Sequence, residues 1–327
     1  MSGEATVVIS SKQINAVTVD QAEAGRLAVR SITLADARPG EITVRVSAIS
    51  LNRVETKRAL TIMETGTCPG WDFAGAVEDK NGVSSAPEVG TRVVGALPIG
   101  AWAERVHVPL SLIAVFPRAI TDAAAATLPV AGLTALHALR KGGLLSGRKV
   151  LINGATGGVG QFAIQLAAAS GVRVYSHIRP AEQRALVQTS STGGVVVGPT
   201  LEAARTVEPF DLIIDSVGGS ALSAAITMLK KQGRCITLGC SEGEGVTFNI
   251  ARFLDASGAS LQSLIPFDDI AATEPAADGL PILLRLLEQG LIIPTTGIEA
   301  PWTEVATVTR QLMDRGFAGK AVLNVPL

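Results

Sequence analysis

The chain has 327 residues, 47% of them hydrophobic, with 34 glycines and a formal net charge of −1. That length suggests two domains, and the composition suits a compact α/β core. The near-neutral charge gives no signal for a nucleic-acid partner or an acidic membrane surface.

Three scattered cysteines, Cys68, Cys235 and Cys240, form no CxxC pair. A disulfide framework or structural zinc is therefore not expected, and a reducing, cytoplasmic setting is the default. The start, MSGEATVV, has neither the basic end nor the apolar stretch of a signal peptide. The most apolar region, 123–139, contains Pro129, Gly132 and His137 and reads as packed helices, not a membrane span.

Residues 1–118 read as β-rich. Along 41–49 the pattern alternates, with Ile42, Val44, Val46 and Ala48 on one face and Thr43, Arg45 and Ser47 on the other. That is a half-buried antiparallel strand. Further strands are expected over 16–20, 26–32, 75–79, 92–94 and 104–108. Turn signals separate them at Arg38-Pro39-Gly40, Asn81-Gly82 and Pro98-Ile99-Gly100, and a small twisted barrel is the expected product. An alanine-rich helix is expected over 121–128 and a second over 132–141.

The stretch 149–171, KVLINGATGGVGQFAIQLAAASG, organises the rest of the chain. Val150, Leu151 and Ile152 make a continuous apolar run, as in a strand buried on both faces of a parallel sheet. A glycine-crowded turn leads into a helical pattern that Gly171 is placed to end. Strand, glycine turn and helix is the arrangement that holds a dinucleotide. Its phosphates would lie against Ala155, Thr156, Gly157, Gly158, Val159 and Gly160, where free N–H groups and the helix dipole point. Strands are then expected over 172–177, 194–197, 211–215, 234–238 and 260–265, and helices over 181–189, 201–206 and 220–231. This is a doubly wound parallel sheet of about six strands.

After Pro266 the alternation stops. Helices are expected over 281–288 and 303–314, and a final strand over 321–325. This tail is too short for a domain and is expected to return to the first one. The division is 1–118 with 267–327, and 119–266 for the cofactor domain.

The second strand of the cofactor domain ends Ser176-His177-Ile178-Arg179-Pro180. An NAD site usually places an acid here for the ribose 2′-hydroxyl. Arg179 instead suits a 2′-phosphate, so NADPH is the expected cofactor, with Ser176 beside it. A surface arginine is the bland alternative, and Glu182 could bind ribose hydroxyls.

These features together resemble the medium-chain dehydrogenase/reductase superfamily, and within it the zinc-free quinone oxidoreductases. The matching stretches are Ser50-Leu-Asn52-Arg53-Val-Glu55, Pro69-Gly-Trp-Asp72-Phe-Ala-Gly75, Gly100-Ala-Trp-Ala-Glu104, 126–135, Ala155-Thr-Gly-Gly-Val-Gly160 and Gly319-Lys-Ala-Val-Leu323. The resemblance implies a GroES-like β-rich catalytic domain beside a six-stranded Rossmann domain. Zinc-using relatives carry a cysteine in the segment of Asn52 and a histidine after Gly70. Here those positions hold Asn52 and Trp71, which are not zinc ligands, so no metal is expected. His107, His137 and His177 lack ligand spacing and read as packing or surface residues.

The resemblance further places Asn52 in the active-site cleft, in contact with substrate or water, and Thr134 near the nicotinamide. Thr134 could equally bond its own helix backbone. Val217, Leu238 and Gly239, with Ser216 and Gly218, end strands where the cofactor lies. Lys320 matches a position that approaches the cofactor phosphates. Trp71 would wall the substrate cleft, and Asp72 would order its loop. Relatives often carry a tyrosine near the position of Lys57. Lys57 could be the oxyanion donor in its place, or simply a solvated charge.

The expected activity is metal-free hydride transfer from NADPH to a quinone or an α,β-unsaturated carbonyl. An enoyl-thioester reductase and a cofactor-binding sensor without turnover are the alternatives. A homodimer is expected, because the strand over 260–265 would otherwise leave an apolar sheet edge unpaired.

Overall fold

The computed structural model describes residues 12–326. β1 (Lys12–Val19) and β2 (Leu27–Leu34) form an antiparallel hairpin. β3 (Glu41–Leu51) leads into α1 (Arg53–Thr61), followed by β4 (Asp72–Asp79), β5 (Arg92–Ala96), β6 (Arg105–Pro109) and β7 (Ile113–Val115). Along one edge β3 pairs with β4. Along the other it pairs first with β6 and, from Ala48 onward, with a strand from the end of the chain.

The alternation expected for β3 holds only to Val46. Ile42, Val44 and Val46 enter the core of the first domain, where Phe73 and Trp102 also lie. The β3–β4 register then shifts between Val46 and Ala48. An extra residue at such a bulge inverts the faces. Ile49 and Leu51 therefore join the first core, and Ala48 faces the neighbouring core instead.

The second domain opens with α2 (Asp122–Ala126) and α3 (Pro129–Lys141). α3 begins at Pro129, not at 132, because proline is pre-set for the first helical position. β8 (Lys149–Asn153), α4 (Gly158–Ala169), β9 (Arg173–Ile178), β10 (Gly194–Val197), β11 (Phe210–Asp215), α5 (Gly219–Ile226), β12 (Leu229–Thr237), α6 (Ile250–Asp255) and β13 (Ser260–Ser263) come next. The six strands are parallel, in the order β10-β9-β8-β11-β12-β13. Val150 and Ile152 face α3 and α4, whereas Leu151 faces the layer holding α5. The continuous apolar run is thus explained by burial on both sides.

Three expected helices differ. Residues 181–186 and 201–207 are 3-10 turns. The first buries none of its residues and the second only Leu201 and Ala204, so neither offers a face to stabilise a longer helix. α5 stops at Ile226, and Leu229 already pairs with Phe210 as sheet. The Thr227 hydroxyl bonds the Ala224 carbonyl (2.9 Å) at this break.

The remaining chain divides. α7 (Pro266–Ala272) and α8 (Ala276–Glu288) pack on the second domain. Gly132 of α3 receives Leu283, and Gly279 of α8 receives Leu133. β14 (Thr296–Pro301), α9 (Val305–Met313) and β15 (Lys320–Asn324) return to the first sheet, in the order β14-β15-β3-β4-β5-β7. Among the described residues no helix is long and apolar enough to cross a membrane.

Candidate active site

β8 ends in the glycine turn. Gly154 sits at φ +81°, a left-handed conformation that favours glycine. A Cβ on Gly160 would overlap the Gly154 carbonyl oxygen and lie 2.8 Å from Ala155 Cα, so only glycine lets α4 approach β8 this closely. The first helical bond of α4 runs from Gln161 N–H to the Gly157 carbonyl (2.9 Å). The N–H groups of Gly158, Val159 and Gly160 therefore open from the helix end, beside the exposed Gly157. Ala155 is buried and Thr156 half-buried. This turn fits a dinucleotide diphosphate.

The carboxyl ends of β8, β9 and β11 are joined beneath it. Asn153 Nδ2 donates to Asp215 Oδ1 (2.6 Å), Gly218 N–H donates to Asp215 Oδ2 (2.8 Å), and His177 Nδ1 meets Asn153 Oδ1 (2.9 Å). Burial pushes the His177 pKa down and the Asp215 pKa up. Val217, Leu238 and Gly239 stand half-buried at the ends of β11 and β12. Arg179 lies at the outer end of this row, exposed, paired through Nη1 with Glu242 Oε1 (2.8 Å). Such a solvated pair is weak, which leaves the guanidinium available to a phosphate. Ser176 does not join this row. It is fully buried, and its hydroxyl is bonded to the Ser191 hydroxyl (2.6 Å), because its strand position faces the sheet interior.

A second centre forms where β3, β4 and β15 meet. Lys320 Nζ bonds Asn52 Oδ1 (2.5 Å) and Asp72 Oδ2 (3.1 Å). Asn52 Nδ2 donates to Asp72 Oδ2 (2.8 Å) and to Glu55 Oε1 (3.0 Å), and the Asn52 backbone N–H also donates to Glu55 Oε1 (2.7 Å). Asp72 Oδ1 accepts the Val130 N–H (2.8 Å) at the start of α3, so one carboxylate spans both domains. The side chains of Asp72 and Lys320 are 0% and 4% exposed, and Glu55 is also fully buried. Burial, then the nearby Asp72, pushes the Glu55 pKa well up, against the pull of Lys320 and the Asn52 donors. Burial also raises Asp72, against the pull of Lys320 and the Asn52 and Val130 donors.

The sequence placed Lys320 by the phosphates and Asp72 in a loop-ordering role. Instead the two form the hub of this centre with Asn52. The Lys320 stem nevertheless passes over the glycine turn, where a Cβ on Gly158 would meet its Cδ at 2.7 Å. The Gly319 N–H also bonds the Thr156 carbonyl (2.9 Å). Lys57 stands exposed on α1, outside this bonded group. Trp71 is nearly buried, edge-on to Phe267 (5.5 Å between centroids) and packed with Val130. Thr134 lies one helical turn beyond Val130. Its hydroxyl is buried and has no partner among the described residues, so it does not bond its own helix. An unsatisfied buried hydroxyl of this kind suits a ligand contact.

Sequence reasoning passed over Glu55 as a site residue, though its spacing of three from Asn52 is the capping-box spacing. It also missed Glu242, whose pairing with Arg179 spans 63 positions and leaves no local signal.

Two halves, a glycine-turn parallel domain and a β-rich domain contributing a buried polar centre, define an oxidoreductase architecture. Family models agree: residues 38–118 match the alcohol dehydrogenase GroES-like domain, and residues 158–276 match the zinc-binding dehydrogenase model. The chain belongs to the medium-chain dehydrogenase/reductase superfamily. It is 32% identical to a mycocerosic acid synthase-like polyketide synthase of Mycobacterium tuberculosis, across 94% of this chain and 16% of that protein. It thus spans about a sixth of that synthase's length. A 2-methylene-furan-3-one reductase of Solanum lycopersicum is 28% identical, over 76% of this chain and 66% of the relative. The fold matches quinone oxidoreductase of Escherichia coli complexed with NADPH, with TM-score 0.83 at 21% identity, covering 95% of this chain and 100% of that one. It also matches the CurK enoyl reductase, with TM-score 0.81 at 20% identity, covering 96% and 100%.

Proposed function

We propose that the chain is an NADPH-dependent reductase that delivers hydride, without a metal, to an α,β-unsaturated carbonyl or a quinone. The observation that supports this most is the buried Lys320–Asn52–Asp72 centre beside the glycine turn. It puts a positive charge in a low-dielectric site, where zinc-using relatives carry metal ligands. When bound, NADPH supplies the hydride. The backbone of 155–160 would hold its diphosphate and Arg179 its 2′-phosphate, while Thr134, Val217, Leu238 and Gly239 would border the dinucleotide. Asn52 and Trp71 would border the acceptor, and Lys57 remains a candidate for contact with it.

An enoyl thioester is the second reading for the acceptor, favoured by the likeness to a polyketide synthase over 94% of this chain. Initial rates of NADPH oxidation with a small quinone, a simple enone and an enoyl thioester separate these readings, in wild type and Arg179→Ala. The variant is expected to lose at least about tenfold in NADPH affinity and little in NADH affinity, as the loss of a charge-assisted phosphate contact would give. Equal losses would remove the NADPH assignment. Tight NADPH binding with no oxidation by any acceptor would favour a sensor.

The homodimer is also part of this reading. β13 is the last strand of the parallel sheet; it stops at Ser263, short of the expected 265, because Ile265 already caps α7, and Leu261 on it is 44% exposed. An unpaired edge strand carrying an exposed leucine invites a second strand. Light scattering that returned the mass of a single chain would remove it.

A further inference from the structure

Hydride delivery to a conjugated carbonyl needs a group to meet the negative charge that gathers on the acceptor oxygen. Counting donors in the buried centre narrows the choice. A carboxamide has two N–H donors. Both belonging to Asn52 are engaged, one by Asp72 and one by Glu55. Asn52 therefore has no donor left to steady an oxyanion, and its own oxygen accepts from Lys320. The two Asp72 oxygens already accept from Val130, Asn52 and Lys320. An ammonium carries three N–H donors. Lys320 uses two, toward Asn52 and Asp72, which leaves one.

The place of this ammonium matters as much as its count. The Lys320 stem crosses Gly158 at the diphosphate turn and its tip reaches Asn52, so it spans the path from the phosphates to the expected acceptor site. Its side chain is 4% exposed, whereas Lys57 is solvated. A charge held in a water-poor site acts on a developing oxyanion far more strongly than one screened by water.

We propose that Lys320 is the catalytic electrophile, its third N–H meeting the acceptor oxygen, with two positioning residues: Asp72, which holds the ammonium directly, and Glu55, which acts through Asn52. This rests on the reductase reading. As the hydride that bound NADPH would supply forms a C–H bond at the β-carbon, the C=C pair shifts to the bond between the α-carbon and the carbonyl carbon, and the carbonyl π pair moves to oxygen. The Lys320 proton passes to that oxygen, giving an enol and the neutral amine; the amine regains a proton from solvent, and the enol becomes the saturated carbonyl as water takes the oxygen's proton and delivers one to the α-carbon. The dihydronicotinamide is the two-electron reductant and the conjugated carbonyl is reduced.

The test pairs a binding readout with a rate ratio in Lys320→Met, Lys320→Arg and Lys57→Met. The binding probe is 4-nitrophenol, whose visible absorbance reports its ionisation, titrated into protein saturated with NADP+. In wild type the bound phenol is expected to ionise at least about one pH unit lower than free, as a directed cation would cause. This shift should vanish in Lys320→Met, persist at least partly in Lys320→Arg and survive Lys57→Met. Removing one oxyanion donor should slow enone reduction about a hundredfold, and reduction of p-benzoquinone, which needs far less help, by less than about fivefold. NADPH affinity should stay within about threefold of wild type, since the contact is with the acceptor, not the phosphates.

A large loss of NADPH affinity with both acceptors slowed equally would make Lys320 a phosphate anchor and overturn the proposal. So would an unchanged phenol shift in Lys320→Met, or its loss in Lys57→Met alone. Wild type that oxidised NADPH with neither acceptor would instead sink the reductase reading, and this inference with it.

Discussion

Asp72→Ala is expected to lower folding stability by about 3–5 kcal/mol, the usual cost of breaking a buried ion pair from one side. The substitution strands the Lys320 ammonium, which is 4% exposed, and leaves the Val130 N–H without its acceptor. It also frees one Asn52 donor. Denaturant unfolding followed by circular dichroism near neutral pH reads the effect directly. Asp72→Asn, which keeps the shape and an acceptor oxygen, should recover part of the loss. A drop below about 1 kcal/mol would mean that this carboxylate is no hub, because a surface pair would cost that little.

The second large effect is at the glycine turn, where two neighbouring glycines should fail in different ways. Gly160→Ala pushes a methyl group into the backbone of Gly154 and Ala155. Only main-chain movement can relieve that overlap, so a loss of about 2–3 kcal/mol is expected, the upper range for overpacking. Gly157→Ala meets only the Gly154 carbonyl oxygen at 3.3 Å, from a backbone (φ −78°) that alanine adopts without strain. That variant should fold nearly as well as wild type. It should still bind dinucleotide at least about tenfold more weakly, because the methyl occupies the approach of the diphosphate. Tm and nucleotide fluorescence titration, run on both proteins, give the comparison. Normal nucleotide affinity in Gly157→Ala would place the phosphates elsewhere.

How much of the molecule was legible from sequence depends on how local its causes are. The stretch 149–171 declared itself because an apolar run, a glycine turn and a helical pattern are neighbours in the chain. The six parallel strands came from the same alternation. The short turns over 181–190 and 201–207 were misread because helical composition does not reveal whether a face finds something to pack on. The face switch in β3 was hidden by a bulge, which depends on pairing with β4 and not on the β3 sequence. The active-site centre was the least legible. Lys320 is 268 positions from Asn52 and 248 from Asp72, and only the return of β15 alongside β3 brings them together. Ser176 failed for the opposite reason. Its place at a strand end was right, but strand alternation turned its hydroxyl inward, to Ser191.

The bond between Asp72 Oδ1 and the Val130 amide has a mechanical meaning. It clasps the β-rich half to the first turn of α3, within the cluster where Trp71 meets Val130. Any hinge rotation that widens the crevice must unfasten this clasp and disturb the ammonium held by the other oxygen of the same carboxylate. The seating of α3 on the β-rich half and the placing of that ammonium therefore depend on one carboxylate.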